Sequence, residues 1–150
     1  MEKNKSLLFY ILPPFLFFID LILLGLFQQK IISLLFCFYG IIVIRSPRTK
    51  WLLTSLLFLS IFSFILHGMF GLSLVYLLPL SIIAVEAKNL LNKTFWLPYA
   101  FVASGILLTD FLLWPLLLQT TANPLFTGAK LCVNLVVILI IEKIFIPKAI

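Results

Sequence analysis

Two aspartates stand in surroundings that disfavour a charge. Asp20 lies late in an apolar run over residues 7–27, and Asp110 late in another over 95–118. A carboxylate at the centre of a membrane helix costs about 2.5–3.5 kcal/mol on an insertion scale, so an acid kept there has a partner or a task. The two fall at similar depth. They could share a polar pocket with Thr109, Gln119 or Asn134, handle a proton or solute, meet a partner protein, or bond to a neighbouring helix. The interhelical bond is the first expectation. A proton-coupled carrier would show more acids, or an acid opposite a base inside the membrane, and the sequence makes neither evident.

The other reactive side chains point to less. His67 is the single histidine, and a zinc site needs three or four ligands, so a wet residue at a helix end is expected. Cys37 and Cys132 sit far apart in apolar runs, as inert buried thiols do. Glu86, beside Lys88, and Glu142, beside Lys143, read as solvated charges at helix ends. No Ser-His-Asp grouping, phosphate loop or neighbouring pair of carboxylates is present. No enzyme chemistry, metal or cofactor is expected.

The elements that must position these residues follow from composition. Hydrophobic residues make up 63% of the 150 and charged residues 11%, with mean hydropathy +1.24; soluble domains have about 45–50% and about 25%. The net charge of +6 would suggest nucleic acid in a soluble protein, but here the basic residues stand at helix ends, and no nucleic-acid partner is expected. The chain reads as an all-α polytopic membrane protein, one integral domain over 1–150. Its expected form is a compact bundle of six transmembrane helices at about 7–27, 29–45, 51–66, 72–87, 95–118 and 129–146. The first run is too long for a signal-peptide core, contains Asp20 and lacks a small-x-small cleavage site, so it reads as an uncleaved span. Pro13-Pro14 predicts a kink or unwound turn in it.

Charge sets the expected direction. With the N-terminus inside, Lys3, Lys5, Arg45, Arg48, Lys50, Lys88, Lys93, Lys143 and Lys148 face the cytoplasm, and only Lys30 and Lys130 face outward. That is a strong positive-inside bias, with both termini cytoplasmic. Arg45, Arg48, Lys88 and Lys93 are therefore topology determinants or cytoplasmic partner contacts. Gly68 and Gly71, in His67-Gly68-Met69-Phe70-Gly71, turn the third span into the fourth. Span two has only fourteen apolar residues, and is kept as a full span by extending it through Gln29 and Lys30. Trp51, Trp96, Tyr99 and Trp114 near span ends suggest an interfacial belt. Ala100, Ser104 and Gly105 mark a small face on span five, which, with Asp110 on the same helix, makes that span the expected bundle centre.

From residue 38 onward, the order of features resembles the MreD family, the small six-span membrane protein of the bacterial rod-shape system. A short span ends in a basic loop with proline, Arg45-Ser46-Pro47-Arg48-Thr49-Lys50. The next leads into the glycine turn and Gly71-Leu72, followed by LPLSIIAVEAKNLLNKTFW over 78–96. An acid then precedes an aromatic late in span five (Asp110, Trp114), and a polar loop leads to a last span with a basic end. Two positions depart from the family: Ser63 stands where an aspartate is common, and Asp20 is an acid the pattern does not include. The resemblance implies a fold like that of the substrate-binding components of energy-coupling-factor transporters, and a non-enzymatic component of the elongation machinery in the bacterial cytoplasmic membrane. It implies an MreC-type bitopic partner and, through it, the MreB filament and the peptidoglycan synthases.

The rival reading is a transporter component of the energy-coupling-factor class. Those proteins dock their energising subunit through a small-x-x-x-small face on the first helix, where this chain has only Gly25 among bulky residues. The loops HGMFG and QTTANPLFTG are also sparse in polar residues for a vitamin site.

Overall fold

The structure, a computed structural model, describes residues 2–27, 31–45, 49–91, 95–119 and 121–145, with side chains over 11–27, 31–45, 51–91, 95–117, 119 and 121–144. All regular structure among these residues is helical. The helices are α1 (Glu2–Phe27), α2 (Leu34–Arg45), α3 (Thr49–His67), α4 (Leu72–Leu90), α5 (Leu97–Leu108), α6 (Trp114–Leu118) and α7 (Pro124–Phe145). One π-helical turn, Thr109–Leu113, joins α5 to α6, so the chain forms six rods. Among the described residues, three stretches are long and apolar enough to cross a membrane: Leu72–Leu90, Leu97–Leu117 and Pro124–Ile144.

The centre is α2, not span five. Every side chain over 35–44 is buried, and α2 packs against α1, α3, α4, α5 and α7. A helix that is apolar around its whole circumference has no face to turn outward, so the other rods enclose it. Close approach depends on two glycines. A Cβ on Gly40 would lie 2.9 Å from Val102, and one on Gly105 would lie 2.4 Å from Phe36. Ser104, also on α5, bonds within its own helix, to the Phe101 carbonyl at 2.9 Å.

The outer rods carry apolar residues on both faces. On α1, Leu12, Leu16, Phe17 and Asp20 turn inward, while Phe15, Phe18 and Ile22 on the other side are more than half exposed. Val75, Ile82 and Ile83 on α4, and Ile140 and Ile144 on α7, are equally open. Such a contiguous apolar exterior suits contact with lipid or protein rather than water.

Several boundaries differ from expectation for physical reasons. Residues 31–33 form no regular structure, and α2 begins only at Leu34. Twelve residues rise about 18 Å, well short of a hydrocarbon core of about 30 Å. Gln29 and Lys30, invoked to lengthen it, lie outside the described residues. Helix α1 runs on through Pro13 and Pro14 rather than unwinding. The interruption comes instead before Pro115. Having no N–H, that residue cannot continue the α ladder, and the Trp114 N–H bonds five residues back to the Thr109 carbonyl.

The glycine turn is steric. Gly68 (φ 67°) and Gly71 (φ 82°) are both left-handed, a region costly to residues with a Cβ. The Gly68 N–H closes α3 on the Phe64 carbonyl at 2.8 Å, and the Gly71 carbonyl accepts the Leu74 N–H at 2.9 Å to open α4.

Candidate functional site

The starts of α2, α4 and α7 and the ends of α1, α3 and α6 meet at one end of the bundle. The short reach of α2 places its N-terminus inside this end, where its first N–H groups have no water to bond. Asp20 supplies the acceptors. Its Oδ1 receives the Leu34 N–H at 2.8 Å and its Oδ2 the Leu35 N–H at 3.0 Å, with the residue only 2% exposed. A negative charge at a helix N-terminus also opposes the helix dipole favourably.

Asn134 on α7 completes the cap. Its Oδ1 accepts the Ser33 N–H at 3.0 Å, while its Nδ2 donates to the Ile31 carbonyl at 2.8 Å and the Lys130 carbonyl at 2.7 Å. The Cys37 thiol lies 3.4 Å from the same Oδ1. A fully buried amide thus has both oxygen and nitrogen satisfied.

One turn earlier on α7, Lys130 Nζ donates to Asp110 Oδ1 at 2.7 Å, with side chains 11% and 9% exposed. Thr127 Oγ1 donates to Asp110 Oδ2 at 3.1 Å. The acid sits on the π turn, which Thr109 holds by bonding back to the Gly105 and Ile106 carbonyls at 3.0 and 2.9 Å. Here the sequence reading needs correction, for an acid does face a base within the bundle. Lys130, expected on the outer side of the membrane, lies in the second turn of α7 and reaches across to the π turn. The two aspartates share no direct hydrogen bond. They are linked in series, from Asp20 through the 33–35 backbone to Asn134, Lys130 and Asp110.

A cavity of about 530 Å³ opens beside this relay. Its lining combines the polar side chains of Asp110, Lys130, Thr109, Thr127 and Ser33 with the apolar ones of Phe36, Leu59, Ile106 and Leu24. His67 is not simply a wet helix end. It lines the same cavity, with its ring centroid 4.0 Å from that of Trp114.

The opposite end holds a second polar group. Arg45 Nη2 and Nε donate to Glu142 Oε1 at 3.1 and 3.3 Å, and Tyr99 Oη donates to Oε2 at 2.8 Å. The guanidinium lies 5.9 Å from the centroid of the Phe95 ring. Glu142, with a side chain 12% exposed, ties α2 and α5 to α7 and is not a solvated terminal charge. Arg45 is therefore engaged within the chain. Lys88 lies in the last turn of α4, half-buried, and Glu86 beside it is exposed. Arg48 and Lys93 lie outside the described residues. Of the expected aromatic belt, Trp96 is exposed but Trp51 is buried, and Tyr99 and Trp114 have the internal partners just named.

Sequence reasoning passed over Lys130, Glu142 and Thr127. Lys130 and Glu142 read as end charges because their partners, Asp110, Arg45 and Tyr99, lie on other helices. Comparison with protein-family models, curated proteins and solved structures gives no match to the chain.

Proposed function

We propose that this chain is a six-span, non-enzymatic component of the bacterial cell-elongation complex, of MreD type, lying in the cytoplasmic membrane with both termini inside. In this role it holds an MreC-type bitopic protein and, through it, couples MreB to peptidoglycan synthesis. The observation that carries the reading is how the feature order of the resemblance is used. Its glycine turn occupies two left-handed positions, and its late acid in span five anchors the last helix. The buried charges hold helices together, and many large apolar side chains are exposed among the described residues. That leaves helix faces and short loops as the surfaces a partner can recognise.

The alternation of helix direction supports the topology. The ends of α2, α4 and α7, bearing Arg45, Lys88 and Lys143, share one side, and the cavity lies at the other. Depleting the protein in its own cells tests the role. Incorporation of fluorescent D-amino acids along the side wall should fall and become dispersed as cells widen. Unchanged side-wall incorporation after depletion would contradict the reading.

A further inference from the structure

The cavity at the Asp20–Asp110 end is lined by both polar and apolar side chains. Its volume of about 530 Å³ falls within the range of small-molecule sites, about 300–1,000 Å³. The acceptors of Asp110 are occupied, Oδ1 by Lys130 and Oδ2 by Thr127, with Thr109 Oγ1 also 3.4 Å from Oδ1. The donors are not used up. Lys130 carries three N–H groups and spends one on Asp110. Ser33, 5% exposed and lining the cavity, has a buried hydroxyl with no hydrogen-bond partner among the described residues. The hydroxyls of Ser55, Ser60 and Ser73 are buried without a partner too, but only that of Ser33 lines the cavity. The first turn of α7 adds the positive end of a helix dipole on the same side. The same cavity is also lined by the apolar side chains of Phe36, Leu59 and Ile106.

We infer that this cavity binds an amphiphile presenting an oxyanion on an apolar body, with the oxyanion at Lys130 and Ser33 and the body against Phe36, Leu59 and Ile106. A free organic acid and an anionic lipid headgroup share this chemistry. The inference does not depend on the partner reading, since ligand binding and partner recovery are separate measurements.

The test uses the full chain in detergent and in nanodiscs. The probes are 3-phenylpropionate, 4-phenylbutyrate and 2-naphthylacetate, each beside its neutral alcohol, followed by saturation-transfer NMR. Phosphatidylglycerol against phosphatidylcholine nanodiscs, read by native mass spectrometry, form the lipid arm. Ala122→Trp crowds the cavity from the loop before α7 without touching the ion pair, and the double variant Asp110→Asn with Lys130→Gln removes the charges. Either source is supported by saturable binding about tenfold tighter than that of its neutral counterpart, lost in Ala122→Trp while helix content and cooperative unfolding are kept. Acids competing identifies a free ligand; selective retention of phosphatidylglycerol identifies a lipid. The inference is overturned if acids and alcohols partition alike and neither lipid is preferred, or if Ala122→Trp binds as the parent does. Should the double variant not fold, Ala122→Trp alone decides.

Discussion

Asp20 and Leu34 are joined by a 2.8 Å hydrogen bond from the Leu34 N–H to the carboxylate, and that bond allows a helix to begin inside the bundle. Replacing Asp20 by Ala strands two buried N–H groups, each costing about 1–3 kcal/mol. Asp20→Asn keeps one acceptor and loses the charge. Reversible unfolding in mixed micelles should therefore rank the parent above Asn and Asn above Ala. Equal stability of the Ala variant would show that the cap contributes little.

Asp110 and Lys130 should behave as one unit. Removing either partner of a buried pair leaves an uncompensated charge, at about 3–5 kcal/mol. Asp110→Asn with Lys130→Gln should cost clearly less than the sum of the single changes. A double-mutant cycle measures this coupling, and additive losses would mean that the pair does not act together.

Gly105 should tolerate no side chain. With an added Cβ only 2.4 Å from the Phe36 ring, Gly105→Ala should destabilise by about 1–3 kcal/mol through overpacking, and Phe36→Leu should recover part of the loss. Gly25→Ala is the control, since nothing lies within 4 Å of a Cβ there. A thermal-shift series over Gly105→Ala, its combination with Phe36→Leu, and Gly25→Ala checks both statements.

The two basic candidates that fall among the described residues should separate. Glu142→Ala removes the acceptor of Arg45 and of Tyr99, and should lower thermal stability. Lys88→Ala should stay within about 0.5 kcal/mol of the parent, as surface changes do. Any loss of partner recovery in Lys88→Ala would then report on binding rather than folding. A stability loss matching that of Glu142→Ala would place Lys88 in the framework instead.

The sequence makes the class of the fold plain, because a composition this apolar leaves few alternatives, and the glycine turn is legible because left-handed backbone selects glycine. Which helix lies at the centre is less legible. Helices α1 and α4 are apolar on their inner and outer faces alike, so periodicity does not mark the buried side. The better signal lies in the run over 31–44, whose fourteen residues are too few to span. A short helix enclosed by others has a buried N-terminus, and Asp20 and Asn134 are the side chains that answer it. The pairing of Asp110 with Lys130 is not legible because a residue at the very start of an expected span reads as an end charge, whereas α7 starts at Pro124 and carries Lys130 in its second turn.

The most direct measurement is affinity isolation of a tagged copy from its native cells in mild detergent, with crosslinking and mass spectrometry. The account predicts recovery of an MreC-type bitopic protein, crosslinked to helix faces or cytoplasmic loops of this chain and weakened by Lys88→Ala. Recovery of paired ATPases with a transmembrane coupling subunit, and no MreC-type protein, would contradict it and favour a transporter component.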